Sequence, residues 1–210
     1  MASDERVLEE LRAAILRGDF APRQRLVEAE LCEDLGASRF AVRAALQSLE
    51  ADGLVERQRN RGARIREIGI DEAVEISEVR QVVEGLVARR AAERVRDDQA
   101  AELETIGAAM RVAVATGDVV TYGQLNGRLH ATLRDIAHHG KANRIIERLH
   151  GQMVRHQFAL SRVPGRPAVS LDQHLAIIDG VVSRDPARAE QAMREHIGSV
   201  IDVLRTFEGR

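Results

Sequence analysis

Seven histidines, His130, His138, His139, His150, His156, His174 and His196, all lie beyond residue 129 of a 210-residue chain. Imidazole is a common metal ligand and titrates near neutrality, so this one-sided distribution marks the C-terminal part as the place for ion chemistry. Asn126 and His130 stand four residues apart, which on a helix turns both to one side, as two ligands of one ion must be. His174 and His196 fall on later helical segments. Three imidazoles and an amide oxygen from three helices could close around a divalent cation and leave positions open for a ligand. Spacing alone does not choose these three histidines over the other four.

The N-terminal part carries a different chemistry. Of 31 basic residues only Lys141 is a lysine, so positive charge sits almost wholly on planar guanidinium groups, which suit bidentate contacts. A genomic base-composition bias gives the same pattern. Position is more telling: Arg39, Arg43 and Gln47 repeat at four-residue spacing, and Arg57, Arg59, Arg61, Arg64 and Arg66 crowd into ten residues. Such groups hold phosphates or read guanine edges.

The elements that must present them can be read from periodicity. Residues 5–17 place Val7, Leu8, Leu11 and Ile15 on one helical stripe, ended by Gly18 to Pro22. A second helix over 27–35 carries Val27, Leu31 and Leu35. Gly36-Ala37-Ser38 supplies a turn and an N-cap, and a third helix runs to about Asp52 with Val42, Ala45, Leu46 and Leu49 inward. Arg39, Arg43 and Gln47 then share a polar face turned away from that stripe. A strand from Gly53, a turn over 58–61 and a return over 62–65 follow. Helix, tight turn, arginine-bearing helix and basic hairpin fit a major groove with a wing on the minor groove or flanking phosphates. The alternative use of such a unit is protein contact, with the arginines merely solvated.

The residues that carry a family resemblance are Ser38-Arg39-Phe40-Ala41-Val42-Arg43-Ala44-Ala45-Leu46, Leu49-Glu50-Ala51-Asp52-Gly53-Leu54-Val55 and Asn60-Arg61-Gly62-Ala63. Over residues 6–66 the chain resembles the winged helix-turn-helix of GntR-family bacterial regulators. The resemblance implies DNA contacts from Arg39, Arg43 and the wing around Arg61 and Gly62, with Gln47 on the reading face and Arg59 in the wing. Phe40-Ala41 departs from the family's usual Thr-Pro, and Gln47 stands where a further arginine is common.

After a linker at 67–70, the pattern predicts six helices and no strand. They run 71 to about 96 with Asp71 as cap and Val79, Val82, Val83 and Leu86 as stripe, then 98–115, 117 to about 140 and 141–162. A fifth is capped by Ser170 after the loop Pro164-Gly165-Arg166-Pro167, and the last opens at Asp185-Pro186 and ends near Phe207. The fold class expected is mainly α: residues 1–66 a winged helix-turn-helix with a small β-hairpin, residues 71–210 an antiparallel helical bundle.

Glu78-Val79-Arg80-Gln81-Val82-Val83-Glu84, Asn126-Gly127-Arg128-Leu129-His130, Gln173-His174 and Glu195-His196 resemble the FCD effector-binding domain of FadR-type GntR regulators. Many members hold zinc, nickel or a similar ion with an Asp-x-x-x-His pair and two later histidines, and bind a small organic acid beside it. The resemblance implies His130, His174 and His196 as ligands, with Asn126 where aspartate is usual and Leu129 where phenylalanine is usual. It also implies Arg80 as a carboxylate clamp, with an ion pair to Glu84 as the alternative, and Arg155 as a second effector contact. A neutral amide is a weaker ligand than a carboxylate, so the ion keeps more of its charge for an anionic effector.

Composition bounds the rest. Hydrophobic residues at 44% beside charged residues at 30% suit a globular protein with room for two cores. No uninterrupted apolar run is long enough to span a bilayer, the start lacks a secretory pattern, and the single Cys32 excludes a disulfide scaffold, so a cytoplasmic protein without membrane contact is expected. Net charge of −2 conceals the local arginines, since twelve acids offset twelve arginines over residues 1–66. The reading is a ligand-responsive regulator, most simply a repressor, binding operator DNA as a homodimer; two winged helices related by a twofold reach half-sites about one helical turn apart. A metal-dependent hydrolase or oxygenase is the rival class, but no carboxylate is spaced as a general base and catalysis leaves residues 1–66 unexplained.

Overall fold

The computed structural model describes residues 2–58, 62–161, 163 and 165–207. Contacts divide the chain into two compact units, Met1–Gly69 with His150–Arg155, and Ile70–Leu149 with His156–Arg210.

The first unit is built from α1 (Ala2–Arg17), β1 (Arg25–Leu26), α2 (Glu28–Asp34), α3 (Arg39–Ala51), β2 (Val55–Gln58) and β3 (Gly62–Ile65). Its core joins Val7 and Leu11 of α1, Leu31 of α2, and Val42, Ala45, Leu46 and Leu49 of α3 to Leu26, Val55, Ala63 and Ile65 of the sheet. The Ser38 hydroxyl accepts the Ala41 N–H at 3.1 Å, so the expected N-cap is in place. The hairpin pairs Val55 with Ile65 and Gln58 with Gly62; its first strand begins at Val55 rather than Gly53, because Asp52 and Gly53 complete the C-terminal turn of α3. A third strand was not anticipated. β1 pairs antiparallel with β3, giving the order β1-β3-β2, and two residues are too few to show the alternation by which strands are read.

Gly62 is fixed by this sheet. Its φ of +82 lies in the left-handed region, and a Cβ there would sit 2.7 Å from the Leu26 carbonyl oxygen of β1.

The second unit consists of α4 (Ile70–Arg94), α5 (Asp97–Ala115), α6 (Val119–Ala137), α7 (Gly140–Ser161), α8 (Arg166–Val182) and α9 (Pro186–Arg205). Asp118 and Asp185 cap α6 and α9 through the amides of Thr121 and Arg188, and Pro186 fills a first-turn position where its missing N–H costs nothing. Leu103, Ile106 and Met110 of α5, Leu129, Leu133 and Ile136 of α6, Ile177 and Val181 of α8, and Met193 and Ile197 of α9 form the core.

Three expectations need correction. The inward face of α4 is Ala73, Ile76, Ser77, Arg80, Glu84, Val87, Ala88 and Ala91, whereas Val79 and Val82 are about half exposed, at 49% and 52%. The apolar stripe and the buried face of α4 only partly coincide, Val83 packing against the core while the face turned inward is otherwise small and polar. Asp71 lies inside the first turn of α4, which starts at Ile70. α8 begins at Arg166 with Gly165 as N-cap, not after Ser170; Pro167 is accommodated in the first turn and Ser170 is a buried residue of the helix.

Gly180 sets the α8–α9 approach. A Cβ at this position would lie 2.8 Å from the backbone of Ala189, so only glycine allows so close a crossing. Six residues before Gly180 stands His174, and seven after Ala189 stands His196.

Candidate metal centre and nucleic-acid interface

Four helices converge on one polar cluster. α6 carries Tyr122, Asn126 and His130 at four-residue spacing, and α8 carries Arg166, Ser170 and His174 at the same spacing, so each set occupies one helix face. α4 adds Arg80 and Glu84, and α9 adds His196 and Ser199.

His130, His174 and His196 are buried, and one ring nitrogen from each lies within 4.8 Å of those of the other two. Ring centroids are 4.4 Å apart for His174 and His196, 5.5 Å for His130 and His196, and 5.6 Å for His130 and His174. Each Nδ1 is engaged from outside the triad. Glu84 Oε2 lies 3.3 Å from His130 Nδ1, the Tyr122 hydroxyl 3.0 Å from His174 Nδ1, and Gln173 Oε1 3.2 Å from His196 Nδ1. An amide oxygen only accepts, so His196 carries a proton on Nδ1 and turns its Nε2 lone pair elsewhere, and the Glu84 carboxylate favours the same tautomer at His130. The third ring supplies the sharpest observation: among the described residues, His174 Nε2 is buried with no hydrogen-bond partner, and so is Asn126 Oδ1. Unsatisfied buried polar atoms are costly, and two in one cluster ask for a ligand.

Electrostatics agree. Burial pushes His196 down to about 3, with His130 adding to the effect and Glu84 opposing it, and burial pushes His174 well below the ordinary histidine range. His174 and His196 are therefore neutral at pH 7, the state in which imidazole donates a lone pair to a metal. Neutral nitrogens with outer hydrogen-bond partners and an orphaned amide oxygen fit a borderline divalent ion such as zinc or nickel.

Around the triad lie two arginines of different standing. Arg80 Nε donates to Glu84 Oε1 at 2.8 Å with both side chains buried, so its charge is matched. Arg166 donates to the Ser199 hydroxyl at 2.5 Å and, among the described residues, makes no ion pair. Burial lowers the pKa of Arg166 and raises that of Tyr122, the latter opposed by a hydrogen bond with Ser170. The Arg155 side chain lies outside the described residues. Sequence reasoning missed Tyr122, Arg166 and Ser199; with α8 begun five residues earlier, Arg166 falls into phase with His174, and Tyr122 stands eight residues before His130. A separate surface groove of about 300 Å³ between α5 and α8, lined by Gly107, Arg111, Leu175 and Asp179 among others, shares no residue with the cluster.

In the first unit, Arg39, Phe40, Arg43 and Gln47 are exposed on α3, opposite its buried face. Arg43 Nε donates to Glu28 Oε2 at 2.7 Å, which aims the guanidinium across α2, while Arg39 has no ion pair among the described residues. Phe40 is 74% exposed, an aromatic side chain on the outer face of α3 that the sequence flagged only as a departure. Gly62 is required by the backbone, as described above. Arg59 and Arg61 lie outside the described residues.

An exposed arginine-bearing helix with a winged sheet, on one chain with a helical unit enclosing neutral histidines, is the build of a transcription regulator that carries its own sensor. The chain matches the family model of the bacterial regulatory proteins of the gntR family over residues 3–65 and that of the FCD domain over residues 75–199, and it belongs to the GntR regulators with an FCD domain. It is similar to the HTH-type transcriptional repressor RspR of Escherichia coli K12, 28% identical over 96% of this chain and 89% of the relative. The galactonate operon transcriptional repressor of the same strain is also 28% identical, over 93% of each chain. Among solved structures, E. coli McbR/YncC shares the fold with a TM-score of 0.78 at 20% identity, over 99% of both chains. A GntR regulator from Rhodococcus sp. RHA1 superposes with a TM-score of 0.75 at 22% identity, over 98% of this chain and 99% of that one. The family consists of transcription regulators, which sets the enzyme alternative aside. Among the described residues no helix is long and apolar enough to cross a membrane.

Proposed function

We propose that the chain is a cytoplasmic, ligand-responsive repressor that binds operator DNA as a homodimer and senses a small carboxylate beside a divalent ion in its helical domain. The domains of this reading are residues 1–66 and 71–210 joined by 67–70. The observation that carries the sensing half is the buried, unpartnered His174 Nε2 between His130 and His196. With Asn126 Oδ1 these nitrogens would hold zinc or nickel, and the ion, when bound, supplies a positive centre for an acid's oxygen. Arg80 fixes Glu84 behind His130, and Arg80 and Arg155 are its candidate effector contacts. Two relatives are named as repressors, one of a galactonate operon, which supports repression and an acidic effector.

For the DNA half, Arg39, Arg43 and Gln47 face the major groove, and Arg59, Arg61 and Gly62 belong to the wing. One winged helix reads too few base pairs to be selective, and the exposed Val79 and Val82 on α4 offer an apolar stripe for a twofold partner to cover. The test has two arms. Protein purified without a histidine tag should carry about one zinc or nickel per chain after metal exposure; a clean absence refutes the ion. In an electrophoretic shift with upstream intergenic DNA, the wild type should bind at moderate salt and the Arg39→Ala/Arg43→Ala variant should not. Retained specificity in that variant overturns the assignment of α3.

A further inference from the structure

The histidine cluster has a second arginine near it that the family resemblance did not single out. Arg166 stands eight residues before His174 on the same face of α8 and donates to Ser199, which stands three residues after His196 on α9. The Arg166 side chain is half-buried and lacks a carboxylate among the described residues, unlike Arg80, whose partner Glu84 is in contact. Three residues of helix separate Ser199 from His196 by roughly 4.5 Å of rise. The guanidinium is thus held at Ser199, about one helical turn along α9 from His196. Tyr122 and Ser170 are buried and hydrogen-bonded to each other, and the Tyr122 hydroxyl reaches His174 Nδ1.

We propose that Arg166, steadied by Ser199, receives a second carboxylate, so that the effector is a short dicarboxylic acid spanning from the histidine-held ion to this guanidinium. Charge favours the same class. Three neutral imidazoles and the neutral Asn126 leave the ion's charge undiminished, Arg80 and Glu84 cancel, and Arg166 adds one more uncompensated positive charge. A monoanion leaves one end of this field unmatched; a dianion of matching length answers both. Hydroxyls along the path hydrogen-bond the carboxylate oxygens and reject an aliphatic tail.

This inference rests on the proposed carboxylate-sensing role of the histidine pocket, and its test separates the two. Full-length protein loaded with Zn²⁺ is titrated calorimetrically with succinate against butyrate and with glutarate against valerate, pairs matched in carbon number. The diacid of at least one pair should bind the wild type about tenfold or more tightly than its partner. Arg166→Gln should bring the diacid to the level of the monoacid and leave the monoacid and the zinc stoichiometry unchanged; Arg166→Lys should restore part of the preference, and Ser199→Ala should weaken it with the charge retained. Equal losses for diacid and monoacid, or no diacid preference in the wild type, overturn the proposal. The same titrations on chelator-treated protein identify the failing half: an Arg166-dependent diacid preference without zinc retires the ion and keeps the dicarboxylate. Zinc binding with no effect of Arg166→Gln retires the dicarboxylate alone. Unchanged circular dichroism of each variant excludes loss of fold.

Discussion

Glu84 is the residue on which stability and ion binding part company. Its carboxylate accepts from Arg80 Nε at 2.8 Å and lies 3.3 Å from His130 Nδ1, with both Arg80 and Glu84 side chains less than a tenth exposed. Glu84→Gln keeps the shape but offers one acceptor and one donor where two donors arrive. The amide oxygen goes to the guanidinium, which is charged and cannot release its proton. Its NH₂ then faces His130 and favours the tautomer protonated on Nε2, the nitrogen needed by the ion. Loss of such an outer partner lowers metal affinity about 10- to 100-fold, or about 1.4–2.7 kcal/mol. Glu84→Leu goes further by stranding the buried Arg80 charge, at a cost of about 3–5 kcal/mol, while Arg80→Met/Glu84→Leu removes both charges and should recover most of that. Urea denaturation of chelator-treated protein reads the stability, and competition for Zn²⁺ against a chromophoric chelator reads the affinity. Zinc affinity of Glu84→Gln within twofold of wild type would refute the tautomer argument. A double variant as unstable as Glu84→Leu would refute the stranded charge.

Three further outcomes are expected. Asn126→Asp should tighten Zn²⁺ and weaken acid binding, because the new carboxylate neutralises part of the ion's charge; calorimetry showing both affinities unmoved removes Asn126 from the ligand set. His196 has its folded pKa depressed to about 3 against 6.5 unfolded, so the unfolded chain takes up the proton first, and stability is present above 6.5 and lost as pH falls toward the folded value. Chelator-treated protein should therefore lose about 2 kcal/mol from this ring alone between pH 7 and pH 5, with His174 acting in the same direction; flat urea midpoints over that range contradict the buried neutral imidazole. Gly62→Ala meets both the left-handed φ and the Leu26 carbonyl and should cost at least about 2 kcal/mol, seen as a lower melting temperature and weaker operator binding, where a purely electrostatic wing would tolerate it.

What the sequence disclosed follows the strength of local signals. α3 was legible because its apolar stripe, its Ser38 cap and its arginine face all report the same helix, and the buried set Val42, Ala45, Leu46 and Leu49 is the expected one. On α4 the sequence shows a helical stripe but not its destination: Val79 and Val82 are about half exposed, while the side that turns inward is Arg80 and Glu84 among small residues. β1 is too short for a period. The start of α8 was missed because two prolines around Gly165 read as a loop, although one of them sits comfortably in a helical first turn. That slip hid Arg166, since only with the helix extended do Arg166, Ser170 and His174 fall on one face. The three histidines were named through resemblance, whereas their outer partners Glu84, Tyr122 and Gln173 come from other helices and needed the tertiary structure.

Asn126 and Glu84 together define how the proposed sensor differs from one with a carboxylate on the ion. Negative charge is present in the cluster, but it is placed behind His130 and already shared with Arg80, so it would orient an imidazole more than neutralise a bound cation. Ion and acid are then each incomplete without the other. An ion held by neutral ligands gains most from an added anion, and an anion entering this pocket gains most when the ion is present. Such mutual dependence is a coupling free energy, and it is reciprocal: the factor by which acid tightens the ion equals the factor by which the ion tightens the acid. The three histidines proposed as ligands come from α6, α8 and α9, and Glu84 comes from α4. The conformation selected by the pair is therefore one in which these four helices are drawn to a common centre. Only the difference in affinity between that conformation and its alternative is available to change DNA binding. A weak ion site that strengthens with its acid makes that difference larger than a tight, self-sufficient ion site would.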